Sequence, residues 1–140
     1  MRELVSSTFA TGWRTAQPGV DFALENEGRK LPPVGSASFA LQTTMLTTSG
    51  QMTQGAPGNR RVRRDGWIQV KLWAPADTGA SSAAGMADSI RRMLEMVELA
   101  SPVSGDEPVT TAAGATQPVG VDGRWYVTLV RIPFYYVETK

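Results

Sequence analysis

The residues of this chain best suited to chemistry are four arginines placed just before a tryptophan-rich strand. Arg60, Arg61, Arg63 and Arg64 fall within five positions, and Trp67 and Trp73 follow them. Guanidinium groups form charge-assisted hydrogen bonds with carboxylates and phosphates, and tryptophan is enriched at the centres of interfaces. The pattern favours a surface that binds another macromolecule. The alternative is a solvated loop whose arginines only keep the chain soluble.

Two residue types that serve most enzymes are missing from the chain. The 140-residue sequence has no histidine and no cysteine. Cys/His zinc sites, thiol nucleophiles, Ser-His triads and disulfides are therefore excluded. The 13 acidic residues are scattered, and the lysines, Lys30, Lys71 and Lys140, lie far apart. We expect a protein that is not an enzyme and that uses no metal and no cofactor.

The charge of the chain is unevenly distributed. The net charge is +1, and without the four clustered arginines the remainder carries −3. A mildly acidic body with one basic segment has no general attraction to nucleic acid. The N-terminus lacks the apolar run of a signal peptide, and no apolar stretch approaches the roughly 20 residues of a membrane span. We expect one domain, residues 1–140, that works in a cytoplasm or in a particle assembled there.

Helical spacing of apolar residues occurs twice. Val5, Phe9 and Trp13 recur at intervals of four and predict a short amphipathic helix over residues 2–15. A longer helix is predicted over residues 80–99, with charged residues on its outward face. Ser101-Pro102 would end it. The apolar stripe of this second helix consists of Ala83, Ala87, Ile90, Leu94 and Val97.

Several segments alternate with the period of a β-strand. In residues 67–73, Ile68, Val70 and Leu72 face the core, while Trp67 and Trp73 lie on the opposite face. Those tryptophans either cover the sheet against the N-terminal helix or contact another subunit. The last strand is apolar on both faces and is predicted to be central, after a type I′ hairpin turn at Asp122-Gly123. This last strand covers residues 124–136, and the other predicted strands cover residues 20–24, 36–48, 108–112 and 117–121.

A polar segment rich in glycine separates two of these strands. Residues 49–59 contain too little apolar surface to offset the entropy of ordering them. We interpret residues 49–64 as a long, mobile, basic hairpin arm, and favour a binding role because long loops in compact domains are often functional. The whole order of elements predicts an α+β fold: a single, mostly antiparallel sheet of four to six strands with one long and one short helix packed on it.

Several short motifs along the chain carry a family resemblance. A basic turn leads into a strand, a corner marked by proline and glycine, and a helix, and other motifs lie near both ends. With this order the chain resembles the tail terminator proteins of long, non-contractile phage tails, the lambda type. The matching positions are Asn26 and Pro32, Arg64 and Gly66, Pro75 and Gly79, Ala87, Asp88 and Ile90, and Ile132, Pro133 and Phe134.

The resemblance implies a virion structural protein. Six copies would form a ring that caps the tail tube, ends its polymerisation and offers the surface to which the head is joined. The implied partners are a second copy of the chain, the tail tube protein and a head-to-tail connector protein, in the virion tail after assembly in the host cytoplasm. No membrane and no specific nucleic-acid binding are expected. The contacts would be made by Arg60, Arg61, Arg63, Arg64, Trp67 and Trp73.

Two alternatives to the terminator remain open. A head-to-tail connector or tail completion protein shares the ring architecture and differs little in sequence pattern. A small module that binds single-stranded nucleic acid would use the basic arm for phosphates and the two tryptophans for base stacking.

Overall fold

Two helices and seven strands make up the described part of the chain. The computed structural model describes residues 1–25, 38–77, 79–100 and 108–139. The predicted α+β class is confirmed, with one strand more than the sequence indicated. The elements are α1 (Arg2–Ala16), β1 (Asp21–Leu24), β2 (Phe39–Gln51), β3 (Arg61–Pro75), α2 (Gly79–Leu94), β4 (Glu98–Leu99), β5 (Val109–Thr111), β6 (Ala115–Asp122) and β7 (Trp125–Thr139).

All seven strands belong to one sheet. Their order is β1-β2-β3-β7-β5-β4, and β6 also pairs with β7. Only the β1–β2 pair is parallel, so the sheet is mostly antiparallel as predicted. Strand β7 pairs with β3 along one edge and with β5 and β6 along the other. The predicted central position of the last strand is therefore confirmed.

Both helices pack on one face of the sheet, which we call the inner face. The side chains of Val5, Phe9 and Trp13 are fully buried there, as the spacing in α1 predicts. They pack in one cluster with the strand residues Ile68 and Val70, and the α2 stripe joins them. The burial of such apolar side chains is the main stabilising term of the fold, since each contributes about 1.5–3 kcal/mol when removed from water.

A second, smaller cluster lies on the opposite face of the sheet. It contains Trp73, which is only 3% exposed. Because β3 alternates, Trp73 points away from Ile68, Val70 and both helices. The interpretation that the tryptophans cover the sheet against the N-terminal helix is therefore wrong. The buried members of this cluster are Ala23, Phe39, Trp73, Trp125 and Val127.

Helix α2 ends five residues before the predicted boundary. It stops at Leu94, Met96 has a left-handed φ of 54°, and Glu98 and Leu99 pair with β5 as strand β4. The hydroxyl of Thr111 donates a hydrogen bond to the carbonyl of Leu94 and accepts one from the N–H of Val97 at 2.9 Å. This hydroxyl satisfies a carbonyl of the last helical turn, which has no partner within the helix. The predicted stop at Ser101-Pro102 lies outside the described residues.

The β6–β7 hairpin forms where it was predicted, with its turn shifted by one residue. Asp122 pairs with Trp125, so the two loop residues are Gly123 and Arg124. Gly123 has a φ of 60°, and among the described non-glycine residues only Met96 has a positive φ. A positive φ at the first loop residue alone is the pattern of a type II′ turn, with glycine at that position. The predicted type I′ turn is therefore corrected.

Two buried threonines give a matched test of this packing. The Thr111 hydroxyl is fully used, whereas the buried Thr128 hydroxyl has no hydrogen-bond partner within the described part of the chain. We expect Thr111→Val to lower the free energy of unfolding by about 1–3 kcal/mol. Thr128→Val should leave stability unchanged or raise it by about 1 kcal/mol, because it removes an unpaired buried hydroxyl. Urea midpoints at constant m-value measure both. Equal losses in the two variants would contradict the assignment of the hydrogen bonds.

Candidate interaction surface

The three longest strands continue past the buried core as a ribbon. Ser49 pairs with Arg64, and Arg64 pairs in turn with Tyr136. This three-stranded ribbon comprises residues 46–51, 61–66 and 134–139. Residues 49–51 and 61–64 therefore lie in paired strands, which corrects their assignment to a loop-like arm. The connection between β2 and β3 is confined to residues 52–60.

Hydrogen bonds within the connection give it defined turns. The N–H of Met52 donates to the carbonyl of Arg61 at 2.8 Å, and the N–H of Arg61 donates to Thr53 Oγ1 at 2.9 Å. The Arg60 Nε donates to the Gly55 carbonyl at 2.7 Å. The side chains of residues 52–60 are all exposed. The mobility of this segment stays a prediction.

The structure divides the four arginines among three places. Arg60 lies in the connection, while Arg61 and Arg63 share the face of β3 that carries Trp67. Arg64 lies on the inner-face side of the ribbon. The arginines therefore do not form one cluster.

Arg63 is held by two neighbours on the ribbon. Its guanidinium forms an ion pair with Asp65 at 2.8 Å and lies 4.1 Å from the centre of the Tyr135 ring. The hydrogen bonds that Arg63 donates to the Asp65 carboxylate raise the pKa of Arg63 above its usual value. A cation over an aromatic ring is attracted by the electron density of the ring face. The Arg63 side chain is therefore fixed in orientation although it is exposed.

Arg64, on β3, makes side-chain contacts with both neighbouring strands of the ribbon. Its Nε lies 3.1 Å from Glu138 Oε2, and its terminal nitrogen donates to Ser49 Oγ at 2.7 Å. Burial, with the Glu138 carboxylate adding to it, raises the pKa of the neighbouring Tyr136 phenol. That phenol is neutral at physiological pH. Arg64 therefore has a structural role within the subunit, which the sequence pattern did not separate from a binding role.

Gly66 allows the ribbon to join the core. A Cβ atom at this position would lie 2.2 Å from the carbonyl oxygen of Met45 and 2.7 Å from the Phe134 ring. Only glycine leaves room for the two neighbouring strands here. The Phe134 ring covers the backbone of Gly66 and is buried, so the inner-face core reaches this residue.

The two tryptophans of β3 have different environments. Trp67 is 37% exposed, whereas Trp73, six residues along the same strand, belongs to the second buried cluster. Trp73 therefore offers almost no surface to a partner, and the structure does not bring the two rings together. Of the predicted contact residues, Trp67 remains on the surface together with the arginines of the ribbon and its connection.

Trp67 belongs to an apolar row that crosses three strands. Met45 pairs with Trp67, and Trp67 pairs with Pro133. These three residues lie on the face of β2, β3 and β7 opposite the helices, which we call the outer face. Met45 is 39% exposed, and Pro133 is half-buried. The next row carries Gln69 and Arg131, whose side chains are joined by a hydrogen bond of 3.1 Å. Sequence patterning found Trp67 but not this row, because the row depends on the strand register.

The outward side of α2 forms an open, charged depression. Asp88, Arg91, Arg92, Glu95 and Met96 line it. The hydrogen bond from Arg91 lowers the pKa of Glu95, and the pair lies at 2.9 Å. Within the described ranges, no group of three or more acidic side chains is placed to hold a metal ion. No helix in those ranges is long and apolar enough to cross a membrane.

Comparison with known proteins shows that solved structures of low sequence identity share this fold. No protein-family model matches the chain. No curated protein matches it. A solved structure that bears no functional name matches with a TM-score of 0.64 and 19% identity, over 100% of this chain and 97% of that chain. A chain from the virion of a native gene transfer agent particle matches with a TM-score of 0.52 and 11% identity, over 100% of this chain and 95% of that chain. At such identities the likeness is one of fold.

The positions on which the tail-terminator resemblance rests lie in different parts of the fold. Arg64 and Gly66 lie on the ribbon, Pro75 ends β3, and Asp88 lies on the outward side of α2. Ala87, Ile90, Ile132 and Phe134 are buried, so their types follow from packing. Asn26 and Pro32 fall outside the described residues, as do Lys30 and Lys140.

Trypsin cleavage distinguishes the paired ribbon from an unpaired arm of residues 49–64. We expect cleavage after Arg60, in the exposed connection, to be much faster than cleavage after Arg63 or Arg64, because a paired strand must open before a protease can bind it. Mass spectrometry of peptides from a short digestion of the native protein measures the three rates. Comparable early cleavage at all three arginines would contradict the three-stranded pairing.

Proposed function

We propose that the protein is a structural component of a phage-type particle and acts as the tail terminator. In this role six copies form a ring on the last ring of the tail tube, end its polymerisation and provide the surface for joining the head. The observation that carries the proposal is the likeness in fold, over the full chain, to a protein of a gene transfer agent virion. Among the structural components of such a particle, we propose the tail terminator because the sequence motifs resemble those of tail terminators.

The composition of the chain supports a structural role. Without histidine or cysteine, most acid-base and nucleophilic chemistries lack their usual side chains. We therefore propose that the protein is not an enzyme and works without metal or cofactor. Its partners would be further copies of itself, the tail tube protein and a connector protein.

A terminator needs two unlike faces. One face of the ring must bind the last ring of the tail tube, and the opposite face must not bind another ring of tube protein. Heterologous contacts that close by rotation produce such a ring. The ribbon extends past the core, and its connection carries the exposed Arg60. In our proposal this end of the subunit reaches the tube or the adjacent subunit.

The burial of Trp73 bears on the nucleic-acid alternative. Binding of single strands relies on successive aromatic platforms beside a basic groove. Here one of the two candidate rings lies in the core, and the arginines are divided between faces. A stacking platform made of Trp67 and Trp73 is therefore not available in the folded subunit. The connector alternative shares the ring and is separated only by experiment.

Tail length in lysates tests the proposal. We expect a phage or prophage strain that lacks this protein to make tails of uncontrolled length without heads. Supplying the protein should restore one length. Electron micrographs measure both, and headless tails of the normal length in the deletion strain would assign the connector role instead.

A charge reversal at the tip of the ribbon tests the contact. Arg60→Glu with Arg61→Glu leaves the ion pairs of Arg63 and Arg64 in place, so the fold should persist. We expect the variant to fail in restoring tail length, because attractive contacts with the partner become repulsive. Arg124→Glu, in the exposed turn before β7, is the matched control and should restore normal tails. Normal, head-joined tails from the double variant would refute the role of the tip.

A further inference from the structure

One edge of β2 has no neighbouring strand over most of its length. Strand β1 pairs with β2 only from Phe39 to Gln42, and β3 occupies the opposite edge. Among the described residues, no strand lies beside residues 43–51 on the β1 side. Alternate residues of a strand direct their backbone groups to the same edge, so Thr44 and Leu46 each present an N–H and a carbonyl there.

The sequence of this edge favours pairing with another strand. Residues 43–49 read Thr-Thr-Met-Leu-Thr-Thr-Ser, with high β propensity, no charge and no proline. Segments of this kind pair with identical copies of themselves. The bulge between Leu46 and Thr48 bends the strand beyond Leu46, so the straight part of the edge centres on Thr44. A second copy of the same strand is therefore the partner that this edge fits.

The backbone groups of Thr44 are already occupied by two side chains. Arg2, in the first turn of α1, donates to the Thr44 carbonyl at 2.8 Å, and the Thr44 N–H donates to Glu25 Oε2 at a longer 3.4 Å. Arg2 also forms an ion pair with Glu25 at 2.8 Å. Glu25 directly follows β1, so its side chain lies where the backbone of a longer β1 would pair. An incoming strand must displace both side chains to pair at Thr44.

Polar side chains next to Thr44 hold α1 against this part of β2. Ser6 Oγ donates to Gln42 Oε1 at 3.0 Å, and Gln42 Nε2 donates to Thr44 Oγ1 at 2.9 Å. Both Gln42 and Thr44 are buried. The N-terminal turns of α1 are therefore attached to β2 at the same place where Arg2 and Glu25 cover its edge.

The other long free edge of the sheet is protected in a different way. Among the described strands, β6 pairs only with β7. Pro118 lacks an N–H, and a bulge lies between Pro118 and Gly120. Both features belong to the backbone of β6 and disturb regular pairing with a further strand. The protection of β2 at Thr44 depends instead on two side chains, which can be removed without altering the strand.

We propose that Arg2 and Glu25 block the free edge of β2 from pairing with β2 of a second copy of this chain. While the ion pair is in place, the backbone groups of Thr44 are satisfied within the subunit. When the two side chains are removed, the edges of two copies add to one another in antiparallel order, and backbone hydrogen bonds join the two sheets. The block acts on any two copies that meet, so it does not depend on the proposed tail function.

Two matched double variants isolate the block. Arg2→Ala with Glu25→Ala, which we call the unblocked variant, removes both side chains and leaves the net charge unchanged. Glu3→Ala with Arg14→Ala is the control, because it removes one acid and one base from exposed positions of α1. Leu46→Lys, added to the unblocked variant, places a charge on the open edge and opposes strand pairing. Thermal unfolding verifies that each variant is folded.

Sedimentation velocity over a concentration series measures association relative to wild type, so contacts through any other surface count equally in every protein. We expect the unblocked variant to associate at a concentration lower by about tenfold or more, since several backbone hydrogen bonds form between the copies. The control should differ from wild type by less than about twofold, because exposed charges contribute little. Leu46→Lys should return the unblocked variant to wild-type behaviour.

Three results would overturn the inference. A folded unblocked variant that associates no more than wild type would show that the edge needs no block. Equal association of the control would assign the effect to the lost charges. Association that persists with Leu46→Lys would place the contact away from this edge.

A milder pair of variants covers the case in which the unblocked variant does not fold. Arg2→Ala alone, at a side chain 53% exposed, is then compared with Arg14→Ala. Stronger association of Arg2→Ala supports the block, and equal association of the two refutes it. None of these results bears on tail length in lysates, which tests the proposed function separately.

Discussion

The rest of this fold depends on the pairing of one strand, β3, with a long neighbour on each side. Strand β7 pairs with β3 from Arg61 to Pro75, and β2 pairs with it from Val62 to Trp73. The backbone groups of β3 are thus satisfied along both edges, so the strand can leave the hydrophobic core without exposing unpaired amides. Because its side chains alternate, the same strand supplies one face to the helices and the other to the outside. The core, the ribbon and the outer face all follow from this pairing.

Local periodicity was enough to predict the parts of the fold that depend on nearby residues. The four-residue spacing of Val5, Phe9 and Trp13 places all three on one side of a helix, where they are buried, and the alternation of Ile68, Val70 and Leu72 predicts a core face. The end of α2 could not be predicted in this way. Val97 keeps the helical spacing, but Thr111, which satisfies the last turn, lies fourteen residues further along the chain.

In the candidate site too, local sequence patterns predicted some features, and contacts between distant residues determine the others. Residues 49–51 and 61–64 have the composition of a loop, yet they pair with each other, and residues 61–64 also pair with β7, which lies far along the chain. Trp67 and Trp73 have the same strand phase, and only the tertiary structure buries one of them. The neighbour of Trp67 is Met45 because of the register of the β2–β3 hairpin, which shifts beyond Leu46 at a bulge. The stability of a strand depends on such long-range contacts, so the pairing and register of these strands could not be predicted from the sequence alone.

In our proposal, the different roles of these surfaces explain how a small chain without histidine or cysteine could end the growth of a tail tube. One face of the sheet packs against the helices and stabilises the subunit, and the ribbon extends beyond the core, where its tip can reach a partner. The measurement that tests this most directly is cryo-electron microscopy of tails assembled with the wild-type protein. The account predicts a six-fold ring of this fold at the head-proximal end of the tube. Tube ends without this protein, or copies of it that do not form a closed six-fold ring, would contradict it.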